Sequence, residues 1–104
     1  MDRNRHSKEN AKEQENKWYL ITEARQVGQY TIRFTYGDGK LVTIDFTDYI
    51  HRLKLFAPYR EAKMFSRFKI EECGLVIAWP GNTLDFPASA FLKETLSPGL
   101  KRIE

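Results

Sequence analysis

Hydrophobic and polar positions alternate most regularly between Tyr30 and Phe46, where the sequence reads YTIRFTYGDGKLVTIDF. Apolar residues occupy the even positions before the glycines and again after them. Alternation with a period of two, rich in β-branched and aromatic residues, is typical of half-buried strands. Because Gly37-Asp38-Gly39 separates the two runs, the pattern predicts a β-hairpin.

The parity of the alternation also predicts the register of this hairpin. A two-residue turn would place apolar side chains opposite polar ones along the whole ladder. A three-residue loop, Gly37–Gly39, instead pairs Phe34 with Val42 and keeps one face apolar. A slip of one residue moves every side chain to the other face, so we predict the three-residue loop with Gly39 in the left-handed region.

Further strand patterns surround the hairpin. Trp18–Val27 alternates and predicts a first strand, which makes an antiparallel three-stranded meander. Phe68–Glu71 and Leu75–Trp79 predict a second, shorter hairpin in which Gly74 takes a positive φ. Thr83–Phe86 predicts a brief extended segment.

Helical spacing follows the meander and returns near the end of the chain. Thr47-Asp48 are N-cap residue types before a short helix over 49–55. A second helix is predicted within Tyr59–Phe68, where Pro58 suits the first turn, and a third over 87–96. The fold class is therefore α+β: an antiparallel sheet, as a meander plus a second hairpin, with two or three short helices on one face.

The chain divides at Trp18. Residues 1–17 contain no Leu, Ile, Val, Phe, Tyr or Trp, so they predict a disordered polar arm, or a helix that forms only against a partner. Residues 18–104 predict one compact domain whose last residues are loose. The single cysteine, with neither a signal-like nor a membrane-spanning run, indicates a cytoplasmic protein.

The residues able to support catalysis or metal binding are few and scattered. The two histidines lack ligand-spaced neighbours, and carboxylates next to the single thiol oppose its ionisation. Three aspartates could in principle form a cluster, but each is explained more simply as an outward strand residue, a cap or a turn residue. We therefore predict no catalytic, cofactor or metal site and no small-molecule substrate. The residues considered are His6, His51, Cys73, Asp45, Asp48 and Asp85.

One stretch is strongly basic although the whole chain carries a net charge of only +3. His51–Lys69 holds six Lys/Arg against the single acid Glu61, a local charge of +5. We predict that this surface binds an acidic protein partner; the alternatives are a solvated helix face and a nucleic-acid site. The mild total charge favours protein over nucleic acid. The candidate residues are Arg52, Lys54, Arg60, Lys63, Arg67 and Lys69.

Several segments together resemble a family of small bacterial proteins catalogued as domain of unknown function 2442. The resemblance rests on the hairpin FTYGDGKLVTIDF, the strand Trp18–Ala24, the stretch LFAPYREAKMFSRFKI at Leu55–Ile70, and Trp79-Pro80. Asn82, Leu84 and Asp85 follow that pair, so the likeness covers about Trp18 to Leu96.

The resemblance implies a compact α+β domain of bacterial or phage origin without established catalysis. Some relatives are encoded beside another small protein, which implies one half of a toxin–antitoxin-like or regulatory pair. We therefore predict a small non-enzymatic protein-binding module, and an accessory nucleic-acid-binding protein as the alternative. Trp79 itself is expected to pack in the core rather than form an aromatic site.

Overall fold

A computed structural model describes residues 19–81 and 83–103. The predictions for the arm, and those for Trp18 and Asn82, lie outside these residues. The regular elements in chain order are β1 (Ile21–Gly28), β2 (Thr31–Tyr36), β3 (Leu41–Asp45), α1 (Thr47–Arg52), α2 (Ala62–Phe65), β4 (Lys69–Glu71), β5 (Val76–Ala78), β6 (Asp85–Pro87) and β7 (Lys101–Ile103). Short 3-10 turns occupy Lys54–Arg60, Glu72–Gly74, Ala88–Phe91 and Lys93–Thr95.

The strands form two antiparallel sheets, one ordered β1-β2-β3-β7 and the other β4-β5-β6. This confirms the α+β class, the meander and the second hairpin. Side chains from both sheets and from the short helices share one buried cluster. That cluster supplies the cover that a lone hairpin needs in water.

The main hairpin has the register that its parity predicts. Phe34 pairs with Val42, and Ile32 pairs with Ile44. Gly39 has φ +88°, and its N–H donates to the carbonyl of Tyr36 at 2.8 Å. The even-numbered strand residues are buried while the odd ones are partly or fully exposed.

The second sheet lies beside β1 and explains why residue 74 is a glycine. Gly74 has φ +101° as predicted, and a Cβ there would stand 2.6 Å from the carbonyl oxygen of Ile21. At the other end of β1, the Ser66 hydroxyl donates to Oε1 of Gln26 at 2.8 Å. These contacts cover part of the edge of β1, where unpaired backbone groups would otherwise invite association.

The predicted helices after β3 were too long. Pro58 lies inside a 3-10 turn rather than opening a helix, and α2 spans only Ala62–Phe65. The helix over 87–96 is instead two 3-10 turns separated by Leu92, whose backbone is extended. The reason is tertiary packing, because this path stacks Phe91 on Phe34 with ring centroids 4.3 Å apart. Such contacts override local helix propensity.

The N-terminus of α1 also differs from its prediction. Phe46 occupies the N-cap position without a side-chain cap. Asp45 accepts hydrogen bonds from the N–H of Thr47 at 2.9 Å and from its hydroxyl at 2.6 Å. Asp48, expected as a cap, forms an ion pair with Lys101 at 3.1 Å.

The end of the chain, predicted to be loose, forms part of the larger sheet. Lys101–Ile103 pairs with β3, with Thr43 opposite Ile103. Leu100 is buried immediately before this strand. An apolar anchor followed by a short ladder offsets the entropy that normally leaves a terminus free.

The centre of the core is aromatic. Phe46 is fully buried and meets rings from both sheets and from the turn after β6, with centroid separations of 5.6 to 6.4 Å. Tilted and edge-to-face geometries at such separations add to the hydrophobic gain. The rings around Phe46 are those of Phe34, Phe65, Trp79, Phe86 and Phe91.

Long side chains also donate hydrogen bonds to buried and partly buried backbone carbonyls outside the sheets. The Tyr36 hydroxyl donates to the carbonyl of Ala88 at 2.7 Å. The Tyr59 hydroxyl donates to Pro80 at 2.8 Å, and Nε1 of Trp79 donates to Phe65 at 2.7 Å. The burial of Trp79 confirms its predicted place in the core.

We expect Phe46→Ala to lower the free energy of unfolding by about 3–5 kcal/mol, since it empties the site where the rings of both sheets meet. Urea denaturation followed by tryptophan fluorescence measures the change. Val27→Ala is the control, because this side chain is 46% exposed and its loss should cost less than about 0.5 kcal/mol. Equal losses for the two variants would contradict the central role of Phe46.

Tyr36 makes stability fall in strong alkali. Burial raises the pKa of Tyr36 to about 12, an effect that the nearby Arg102 charge partly opposes. The neutral phenol is favoured in the folded state, so this contribution is complete below pH 10 and is lost as the pH rises to 12. Two pKa units correspond to about 2–3 kcal/mol. The native protein and Tyr36→Phe are compared by urea denaturation, and the difference between their free energies of unfolding should become smaller above pH 10. A difference that stays constant with pH would contradict this prediction.

Candidate functional site

A cleft of about 360 Å³ opens between α1 and the turn that precedes β7. Its walls are mainly apolar, and one cation and two hydroxyl-bearing residues border it. The lining residues are Tyr49, Arg52, Leu53, Phe56, Ser97 and Pro98. A concave apolar surface with a few polar groups is the general form of a binding site.

The chain folds back on itself to build the first wall of this cleft. The N–H of Ile50 donates to the carbonyl of Phe46 at 3.0 Å, and buried Ile50 anchors α1 to the core. The backbone becomes extended at Leu53, and the following 3-10 turn brings Phe56 back against Tyr49. The two rings stack with centroids 5.3 Å apart and planes inclined by 25°.

Gly99 lets Arg52 lie along the second wall. A Cβ at this glycine would stand 3.1 Å from Cδ and from Nη1 of Arg52, and 3.3 Å from the Cα of Tyr49. Gly99 also has φ +94°, which favours glycine. The arginine stem therefore packs on bare backbone beside the cleft.

Arg60, one of the predicted partner-binding residues, makes hydrogen bonds within the chain. Its Nε donates to the carbonyl of Ile50 at 2.8 Å, and Nη2 donates to the carbonyl of Leu53 at 3.0 Å. These carbonyls lie in and just after the last turn of α1, where helix carbonyls lack intrahelical partners. The guanidinium therefore holds α1 to the segment behind it.

The remaining basic candidates divide between two places. Arg52 lines the cleft, and Lys54 is exposed in the adjoining turn. Arg67 and Lys69 instead border a depression of about 190 Å³, beside Trp79-Pro80. The two depressions share no lining residue, and Lys63 lines neither of them. The predicted basic residues therefore do not line one common depression.

Charge and apolar surface coincide at the cleft. Within the part of the chain that the structure describes, neither Arg52 nor Lys54 has a carboxylate within ion-pair distance. Leu53 and Leu55 are 55% and 61% exposed. In the other depression Arg67 and Lys69 lie beside a carboxylate, because Glu71 also lines it, whereas no Asp or Glu lines the cleft.

The other candidates from sequence stay apart. Nδ1 of His51 lies 2.7 Å from the carbonyl of Thr47, and Cys73 is exposed in a left-handed turn. Asp45 accepts hydrogen bonds from Thr47, and Asp48 forms an ion pair with Lys101. Asp85 is exposed on β6. Among the described residues, no group of three or more His, Cys, Asp or Glu side chains is arranged to hold a metal ion.

The cleft itself could not be found from the sequence. Its second wall comes from Ser97-Pro98-Gly99, which the sequence marks only as the end of a helix. The one local signal in this region is Leu100, an apolar residue between Gly99 and Lys101 that is buried in the structure.

Comparison with protein-family models, curated proteins and solved structures finds no match. The likeness to the bacterial family therefore stays a proposal based on sequence. Among the described residues, no helix has the length and apolar character needed to span a membrane.

We expect Gly99→Ala to destabilise the protein more than Gly39→Ala. Both glycines have positive φ, but a Cβ at Gly39 meets nothing within 4 Å, so that variant measures the backbone cost alone, about 1–2 kcal/mol. Gly99→Ala adds the displacement of Arg52. Urea denaturation compares them, and equal losses would show that Arg52 moves aside freely.

Proposed function

We propose that this chain is a small non-enzymatic protein-binding module and that the cleft beside α1 receives an acidic segment of its partner. The observation that carries this proposal is the coincidence of an open apolar cleft with the uncompensated Arg52. A partner would place an aliphatic or aromatic side chain in the cleft and a carboxylate against the guanidinium. Arg is well suited to this role because its planar fork binds carboxylates in two-point geometry.

The stacking of Tyr49 on Phe56 and the packing of Arg52 on Gly99 support a preformed site. A preformed site loses little conformational entropy when it binds. Leu53 and Leu55 extend the apolar surface beyond the cleft. Removing apolar area from water contributes about 25 cal/mol per Å² to association before the entropic costs of binding are subtracted. Arg and aromatic residues are also enriched in protein interfaces.

Nucleic acid is the weaker alternative for the same basic segment. The Arg60 guanidinium donates to backbone carbonyls, and Arg52 lines a different depression from Arg67 and Lys69. A phosphate backbone is best met by a continuous run of cations. Loss of oligonucleotide affinity by orders of magnitude between low and moderate salt would favour this alternative.

The resemblance to the bacterial family adds a suggestion about the partner. In a toxin–antitoxin-like or regulatory pair, the partner would be a second small protein encoded beside this one. The bacterial or phage origin of the chain belongs to the same proposal. The cleft chemistry further suggests that such a partner carries an acidic segment with an apolar anchor.

Selection of a random peptide library displayed on phage tests the proposal without a known partner. We expect enriched peptides in which acidic residues adjoin an aliphatic or aromatic residue. Arg52→Glu should weaken their binding at least tenfold, because a charge that attracts becomes one that repels. Fluorescence anisotropy with the enriched peptides measures the change.

Arg67→Glu is the matched control, because it makes the same change of charge at the other depression. It should leave peptide affinity within about twofold. A selection without enrichment, or an equal loss in both variants, would overturn the assignment to the cleft.

A further inference from the structure

The outer face of the four-stranded sheet carries an aligned row of side chains that includes two neighbouring cations. Residues at odd positions of β2 and β3 point away from the core and are partly or fully exposed. The register aligns one row across all four strands of this sheet. In order across the sheet, the row is Arg25, Arg33, Thr43 and Ile103.

Two arginines therefore stand directly opposite each other on neighbouring strands. Cross-strand partners have Cβ atoms about 5 Å apart, and like charges in this position are unfavourable. Among the described residues, Arg33 has no carboxylate partner, and Arg25 meets only Glu23 at 3.8 Å. Both side chains of that pair are more than half exposed, so it neutralises little.

An aliphatic residue, Ile103, ends this row after Thr43, and Leu41 lies on the same face of β3. Ile103 is 49% exposed, and Leu41 on the same face is 57% exposed. Because neighbouring strands lie about 4.8 Å apart, Ile103 stands about 10 Å from Arg33 along the row. Two cations are thus followed, at a fixed distance, by an aliphatic patch.

We propose that this face binds an acidic protein segment in extended conformation. Alternate residues of an extended chain point the same way and lie about 6.7 Å apart. Two carboxylates at such positions reach Arg25 and Arg33, and an aliphatic side chain two residues further on reaches the patch of Leu41 and Ile103. The bound carboxylates relieve the repulsion between the arginines, so binding and the local strand pairing reinforce each other.

Acidic protein fits this face better than nucleic acid does. The row offers aliphatic side chains rather than the aromatic rings on which bases stack. The proposal is independent of the cleft beside α1, because the cleft and this row share no residue.

Fluorescence anisotropy with a fluorescein-labelled peptide of alternating glutamate and valine tests the proposal at low salt. We expect saturable binding that Arg33→Glu weakens at least tenfold and Arg33→Gln weakens several-fold. The glutamine variant keeps the test valid if charge reversal unfolds the strand. Lys40→Glu, the same change of charge on an exposed cation outside the row, should leave affinity within twofold.

Three results would overturn the proposal. The first is absence of binding at low salt, and the second is an equal loss in Lys40→Glu. The third is a single-stranded oligonucleotide, or a second copy of the protein, that binds more tightly than the peptide and depends on Arg33. Arg52→Glu is measured alongside, because loss of binding in Arg33→Glu reports on this face and loss in Arg52→Glu reports on the cleft, so failure of the two assignments remains distinguishable.

Discussion

The packing of aromatic rings around Phe46 is the interaction on which the two sheets depend. Phe46 ends the main hairpin, and its carbonyl accepts the first hydrogen bond of α1. Its ring meets Phe34 of the larger sheet and Phe86 of the smaller one. One residue thus joins the meander, the helix and the second sheet. The relative positions of these elements depend on how they pack around this one ring.

A second constraint follows from how little of the chain is regular. Short 3-10 turns leave backbone carbonyls without partners, and a buried unpaired carbonyl is costly. This protein meets the requirement with long side chains that reach across the core, as Tyr36 does toward Ala88 and Tyr59 toward Pro80. Arg60 does the same for the end of α1. The polar tips of these side chains therefore replace hydrogen bonds that longer helices would have made internally.

The features that the sequence predicts are those set by contacts between residues close together along the chain. The hairpin and its register were predictable because parity and the glycine loop are local signals. The third helix was predicted wrongly because the stacking of Phe91 on Phe34 is a contact between distant segments. The pairing of Lys101–Ile103 with β3 was missed for the same reason. Arg52 was predicted as a partner-binding residue, and it lies in the lining of the cleft. Its packing against Gly99 and the hydrogen bonds of Arg60 are visible only in three dimensions.

The hydrogen bonds from long side chains to backbone carbonyls constrain evolution unequally at their two ends. A carbonyl is present whatever residue occupies the accepting position, so positions such as Ala88 and Phe65 accept without regard to side chain. The donors have no such freedom, because only a residue of the right length and polarity reaches the same oxygen. Divergent descendants of this sequence should therefore keep Tyr36, Tyr59, Arg60 and Trp79. The accepting positions should drift subject only to packing, which makes the donors the residues by which a distant relative would be recognised.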